Sequence, residues 1–316
     1  MASMHTAAAP ALVALDWGTT SLRAWLLDGA GAVLDSVRAP LGLMQVRDGD
    51  FAGVLAAVTA GWPDLPAIAA GMIGSAQGWV EAPYLACPAS PDDLAAQLVE
   101  VPGARVWIVP GVIRGGAMPD VMRGEETQIA GVLALSPDPA GTLRLVLPGT
   151  HSKWARTAGG RIETFATWMT GEIFAVLREH SILGRPVRAA ALATGEGTVA
   201  FLRGVDAARA GSGLAPLLFS ARTLVLTGAI AAADSVDYLS GLLIGDEVRA
   251  ALSAPAAAPD GPLLLVGEPA LCARYRIALA RFGVIGVAEV DDAAVAGLWR
   301  IATAAGLVTP RRTETA

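Results

Sequence analysis

The sequence predicts a duplicated α/β fold of two lobes, each a mixed sheet covered by helices. Three observations lead there. A strand–polar turn–strand–glycine turn–strand unit runs from Leu12 to Val37, and the same unit starts again at Leu143 and ends at Trp168. Each copy is then followed by strands alternating with helices. The repeat is one of architecture and not of residues.

In the first copy, Leu12 to Leu15 is a short buried strand that stops at Asp16-Trp17-Gly18-Thr19-Thr20-Ser21. Leu22 to Leu27 resumes as a strand, Asp28-Gly29-Ala30-Gly31 turns the chain, and Val33 to Val37 continues antiparallel. Phe51 to Ala60 has helical spacing and Ala67 to Ala70 has a strand's character. Pro91 to Val99 reads as a capped helix and Val106 to Val109 as a buried strand.

In the second copy, Leu143 to Leu147 ends at Pro148-Gly149-Thr150-His151-Ser152-Lys153, and Trp154 to Arg156 resumes the strand. Ala158-Gly159-Gly160 is the turn, Ile162 to Trp168 the third strand, and Thr170 to His180 a helix. A strand at Leu224 to Leu226, a helix over Val236 to Ala251 and a strand at Leu263 to Val266 follow. The helix Pro269 to Phe282, the strand Val284 to Ala288 and the helix Asp292 to Ala305 come last. Ala254 to Pro262 reads as a loop. The expected division is a lobe over 11–124 and a lobe over 125–316, with the last helix able to pack back on the first lobe. Residues 1–10 read as a disordered leader.

Composition removes several classes of function. A chain of 316 residues, 53% hydrophobic and 16% charged, suits two folded domains and excludes a disordered one. Cys87 and Cys272 are too few for a disulfide scaffold or a zinc site, which fits a reduced, cytoplasmic compartment. A net charge of −6 and a pI near 5.1 leave no footprint for nucleic acid. Mean hydropathy is +0.51, yet the longest uncharged stretch, Leu65 to Val80, is broken by Pro66 and three glycines and is too short to span a bilayer. Residues 1–15 carry no Lys or Arg to make a signal peptide. A homodimer is compatible with all of this.

The two polar turns carry the chemistry. Turns rich in Gly, Thr and Ser expose backbone N–H groups and hydroxyls with little bulk, as wrapping phosphate oxygens requires. A duplicated fold places them facing across a cleft, with Asp16 at its mouth to hold hydrated Mg²⁺. An Asp-capped β-turn is the plainer reading of Asp16 to Thr20. Among 23 basic residues, Lys153 in the second turn is the sole lysine; the rest are arginines. A compact ammonium at that place points to chemistry a guanidinium cannot do, and a leftover surface lysine is the alternative.

Asp16 to Arg23, Pro148 to Trp154 and Leu264 to Pro269 resemble the two phosphate motifs and the adenosine motif of the acetate and sugar kinase, hsp70 and actin superfamily. More closely, three segments resemble the 2-dehydro-3-deoxygalactonokinase family. These are Gly71-Met72-Ile73-Gly74-Ser75-Ala76-Gln77-Gly78-Trp79 with Glu81-Ala82-Pro83-Tyr84, then Met122-Arg123-Gly124-Glu125-Glu126-Thr127-Gln128, and Leu147 to Trp154. The resemblance implies a ribonuclease H-like duplicated fold with its active site in the interlobe cleft. It also implies transfer of the ATP γ-phosphoryl to the 6-hydroxyl of 2-dehydro-3-deoxy-D-galactonate, a step in galactonate breakdown.

Roles follow from that resemblance. Gly18, Thr19, Thr20, Ser21 and Arg23, then Gly149, Thr150, His151, Ser152 and Lys153, are expected on the ATP phosphates; Gly267 and Glu268 are expected on the nucleotide. In related hexose kinases a carboxylate–Thr pair opens the helix before the second phosphate hairpin. Glu125-Glu126-Thr127 stands there, with Glu126 aligned to the catalytic Asp, and whether Glu126 or Glu125 is the base stays open. Lys153 is the second catalytic candidate. Gly74, Ser75, Trp79, Arg123, Glu125, Trp168 and Glu172 are the substrate candidates, Arg123 being the nearest cation for a sugar-acid carboxylate. His151 either contacts phosphate or orders its turn, Glu172 either binds sugar hydroxyls or caps its helix, and the tryptophans either stack on sugar or pack the core.

Three other readings compete. One is a kinase of another sugar or sugar acid on the same fold. The others are non-catalytic: an ATP-driven interaction protein of the actin or chaperone type, or a sugar-sensing repressor. The first of these needs an added substrate-binding domain or a filament surface and the second a helix-turn-helix before the first strand; no segment of the sequence reads as an added domain or a helix-turn-helix.

Overall fold

The computed structural model describes residues 9–185, 199–254 and 261–309. Most of the expected leader and most of the Ala254 to Pro262 loop lie outside them. By its internal contacts the chain divides into two units. Unit 1 holds Met1–Gly141, Thr157–Thr164 and Asp292–Ala316; unit 2 holds Thr142–Arg156 and Phe165–Asp291.

In unit 1, β1 (Pro10–Trp17) lies between β2 (Leu22–Asp28), antiparallel to it, and the parallel β4 (Ala67–Ala70). With β3 (Val33–Ala39), β6 (Val99–Glu100) and β7 (Val106–Ile108) they form a six-stranded sheet of order β3-β2-β1-β4-β7-β6. The unbroken apolar run of β1 suits its central place, with Leu12, Leu15 and Trp17 fully buried. Helix α1 (Phe51–Val58) is capped by Asp50, and Phe51 meets Trp17 edge-on at 5.7 Å in the core. Helix α2 (Pro91–Ala96) opens with a Ser90–Asp93 capping box. It stops short of the expected Val99 because Val99 and Glu100 pair with β7. A second, three-stranded sheet joins β5 (Tyr84–Ala86), β8 (Gly111–Arg114) and β9 (Asp120–Met122). From β9 the chain enters α3 (Glu125–Leu135).

In unit 2, β10 (Leu143–Leu147), β11 (Ser152–Ala158) and β12 (Arg161–Trp168) begin a sheet of order β12-β11-β10-β13-β14. The outer part of the β11–β12 hairpin counts with unit 1, where Ile162 bridges to Ala89. Helices α4 (Thr170–His180), α5 (Val199–Ala210), α6 (Ser220–Leu226) and α7 (Ser235–Ser253) follow. The expected strand at Leu224 to Leu226 is the last turn of α6. Its apolar run is too short for periodicity to tell strand from helix, and upstream residues complete the helical hydrogen bonds. Strand β13 (Leu263–Leu265) is parallel to β10, α8 (Pro269–Arg281) follows, and β14 (Ala288–Glu289) closes the sheet. The expected strand from Val284 is thus reduced to its last residue plus Glu289.

The final helix, α9 (Ala293–Ala304), belongs to unit 1 and packs along α3. The crossing is close. A Cβ on Gly131 would sit 1.8 Å from the Ala293 carbonyl oxygen, and one on Gly297 would sit 1.8 Å from that of Thr127. This packing keeps α3 in unit 1, whereas the sequence reading opens the second lobe at Glu125.

Candidate active site

In unit 1 three segments meet. The first turn closes with a Gly18 N–H to Ser21 carbonyl bond of 2.9 Å, and the N–H groups of Leu43 and Met44 hold the carbonyls of Gly18 and Thr19. Thr19, Thr20 and Ser21 are left exposed. Gly71, after β4, has φ +97°, and a Cβ there would lie 2.7 Å from the Trp17 carbonyl and 3.5 Å from Asp16 Oδ1. Gly124, before α3, has φ +107°, and its Cβ would be 3.3 Å from Gly71 Cα. Only glycine adopts both conformations without strain. The end of β1, the Met72 turn and the start of α3 therefore share one corner. Asp16 pairs there with Arg23, its register partner on β2, so the expected phosphate ligand Arg23 is engaged with the expected metal ligand.

Glu126 is wholly buried. Its two carboxylate oxygens accept the Gly124 N–H at 2.8 and 2.7 Å, and the Thr127 hydroxyl donates to it at 3.3 Å. Burial, helped by the neighbouring Glu125 charge, pushes its carboxyl up to about 8. Glu125 is partly exposed and accepts the Arg123 N–H at 3.2 Å. The Arg123 guanidinium lies over the Tyr84 ring at 4.3 Å and donates through Nη2 to the Ala82 carbonyl at 2.8 Å. Its Nε and Nη1 are buried without a hydrogen-bond partner among the described residues, as is the Ser75 hydroxyl. Gly74 makes room for that guanidinium, since a Cβ there would stand 3.0 Å from Nη1. Trp79 is not part of this group: its ring stacks on Phe51 at 6.0 Å in the core of unit 1.

In unit 2 the second turn is pressed against the start of α4. The Glu172 N–H donates to the Thr150 carbonyl at 3.0 Å, and a Cβ on Gly171 would be 2.4 Å from the Gly149 carbonyl. His151 pairs with Glu172, which joins a phosphate candidate to a sugar candidate. Lys153 is only 4% exposed and donates to the His151 carbonyl at 3.2 Å. Ser152 is buried on Tyr275, 2.8 Å away. Trp168 packs at 6.0 Å against Trp154. Gly267 and Glu268 are exposed, and the Glu268 carboxylate caps α8 through the Leu271 N–H.

One buried carboxylate in this unit was passed over by the sequence reading. Glu247, in α7, accepts the Trp154 indole N–H at 2.7 Å and the Tyr275 hydroxyl at 2.6 Å. Its helical neighbours Leu243, Ile244 and Ala251 are all apolar and buried, and that stripe was the available signal.

Among the described residues no group of three His, Cys, Asp or Glu could cage a metal. Asp16 still fits Mg²⁺, which takes one or two carboxylates and fills its remaining positions with water and substrate phosphates. No described helix is long and apolar enough to cross a membrane.

Two sheets that share the order hairpin, first strand, parallel strand, each with a Gly/Thr/Ser turn after the first strand, define the actin-like ATPase and sugar kinase class. The Clostridium difficile activator of 2-hydroxyisocaproyl-CoA dehydratase shares this fold, with a TM-score of 0.51 at 13% identity over 93% of this chain and 95% of that one. Within the class, the chain belongs to the 2-keto-3-deoxy-galactonokinase family, which it matches over residues 16–301. It is 37% identical to the 2-dehydro-3-deoxygalactonokinase of Escherichia coli K12 over 297 residues, 92% of this chain and 97% of that one. A solved Sinorhizobium meliloti structure described under the same kinase name is 40% identical, with a TM-score of 0.83 over 93% and 98% of the two chains. The chain is a kinase, and ATP is its phosphoryl donor.

Proposed function

We propose that this kinase phosphorylates the 6-hydroxyl of 2-dehydro-3-deoxy-D-galactonate in the cytoplasm, releasing ADP. The observation that carries the reading is the grouping of Arg123 with Glu125 and Glu126 in unit 1. A sugar acid needs a cation for its carboxylate and a base for its hydroxyl. Arg123 has two buried guanidinium nitrogens, Nε and Nη1, with no acceptor among the described residues. Glu126, raised to about 8, is tuned near working pH.

In the step itself, a bond forms between the sugar O6 and the γ-phosphorus while the bond to the β–γ bridging oxygen breaks. The O6 proton passes to Glu126 and ADP leaves with the bridging oxygen. Gly18 to Ser21 and Gly149 to Lys153 hold the phosphates through N–H groups, the hydroxyls of Thr19, Thr20, Ser21 and Thr150, and the Lys153 charge; Gly267 and Glu268 flank the nucleoside. Asp16 would hold Mg²⁺, which neutralises phosphate charge when bound. Gly74 and Ser75 line the sugar side with Arg123, and Trp168 and Glu172 are the candidates from unit 2. Glu125, the carboxylate open to solvent, is the second reading for the base. ADP release measured over a panel of 2-keto-3-deoxy acids and unmodified hexoses tests the assignment, and preference for a neutral hexose overturns it.

A further inference from the structure

Glu247 is 2% exposed, with Tyr275 and Ser152 equally buried around it. Its carboxylate accepts hydrogen bonds from the Trp154 indole and the Tyr275 hydroxyl, the Ser152 hydroxyl meets that of Tyr275 at 2.8 Å, and the nearby Thr170 hydroxyl favours its charged form. Those four residues come from three elements. Ser152 and Trp154 bracket Lys153 on β11, Thr170 opens α4, and Tyr275 stands on α8, the helix that follows Gly267 and Glu268. In a strand, alternate side chains point to opposite faces, so Ser152 and Trp154 share the face opposite Lys153. Gly171 and Glu172, beside Thr170, press on Gly149 and Thr150.

Burying a carboxylate is costly unless donors replace its water, and an apolar residue of similar size would pack these helices without that cost. Here two donors converge on it and a third hydroxyl, that of Ser152, joins through Tyr275; Ser152 and Trp154 flank Lys153 in the segment assigned to ATP. We propose that Glu247 is a positioning residue for nucleotide. Through Trp154, and through Tyr275 to Ser152, it fixes the direction in which the second turn presents Thr150, His151 and Lys153 to the phosphates. This rests on the reading that the second turn takes those phosphates.

The test uses Glu247→Gln, Tyr275→Phe and the double variant, with Thr150→Val as a probe of the underlying reading. KM for ATP and for the sugar acid, kcat, ATP binding by calorimetry and Tm are measured for each. Glu247→Gln should weaken ATP, as KM and as Kd, by about tenfold while the sugar-acid KM stays within about twofold. Tyr275→Phe should shift the same parameters, and the double variant should be no worse than the worse single, as expected of one network. If Glu247→Gln does not fold, Tyr275→Phe carries the same comparison. Loss of Tm with ATP parameters within about twofold overturns the proposal, as does an equal rise in both KM values. If Thr150→Val also leaves ATP binding unchanged, the reading of the second turn fails first and the proposal fails with it. Weakened ATP in Thr150→Val alone removes only the role of Glu247.

Discussion

Replacing Glu126 by Gln keeps side-chain size and hydrogen bonding but removes the basicity assigned to it. The buried carboxyl is raised from 4.5 to about 8, so at pH 7 it is ionised in only about one molecule in ten. If the ionised form is the base, kcat/KM should rise about tenfold between pH 7 and pH 9 and level off above pH 9. Glu126→Gln should lose about 10²–10⁴-fold in turnover, keep ATP and sugar-acid binding, and show no such limb. Stability should move the opposite way. Between the unfolded pKa of about 4.5 and the folded pKa of about 8 the native state holds a proton that the unfolded chain has lost. Wild-type stability therefore falls with rising pH through that window, by at most about 1.4 kcal/mol per pH unit from this group. Glu126→Gln should lose less stability over the same range. Stopped assays of turnover from pH 6 to 10, with binding by calorimetry and Tm at each pH, measure all of this. An unchanged pH limb in Glu126→Gln, or less than about tenfold loss of turnover, refutes the argument. If Glu125→Gln is instead the inactive variant that still binds both substrates, the roles are reversed.

Asp16→Asn should reduce turnover by about 10²-fold or more, since about 3 kcal/mol is asked of one charged contact; near-normal turnover at saturating Mg²⁺ would leave Asp16 as the partner of Arg23 only. Lys153→Met should lower turnover or ATP affinity and Lys153→Arg should restore only part of it, because the buried site suits an ammonium and not a broad guanidinium; full activity in the Arg variant counts against a specific lysine role. Arg123→Gln should raise the sugar-acid KM by about tenfold or more while leaving that for ATP within about twofold. A substrate analogue with an amide in place of its carboxylate should lose that sensitivity, and equal effects on acid and amide would show that Arg123 does not read the carboxylate.

Much of the fold was legible because the two larger sheets begin with apolar strands separated by polar and glycine turns. β1 and β4 announce themselves by continuous apolar runs, and β10 by an apolar run broken only by Arg144. The β5-β8-β9 sheet does not, since its strands are three or four residues long and mix polar with apolar positions. The Leu224 to Leu226 strand failed for a related reason: three apolar residues carry no period. At the candidate site, the motif segments singled out Asp16, Glu126 and Lys153 but not their partners. Arg23 faces Asp16 because the two hold symmetric places across the β1–β2 turn, a register that outweighs proximity to the phosphate motif. Trp79 adjoins Gly74 and Ser75 in sequence, yet Gly78 turns the backbone and sends the ring into the core beside Phe51. Glu247 lay hidden because its partners come from segments far from it in the chain.

The crossing of α3 and α9 also bears on how the molecule is made. The segment that carries Glu126 is synthesised before the middle of the chain, but the helix its Gly131 packs against is completed only at Ala304. Until then the buried face of α3 has no helix along it, and unit 1 leaves the ribosome unfinished while all of unit 2 is already available to fold. Since domains tend to fold as units during synthesis, unit 2 is the first whole body on the ribosome. The corner of unit 1 that carries Glu126 is sealed last, and a ribosome stalled within α9 holds a chain with every motif present and no helix behind Glu126.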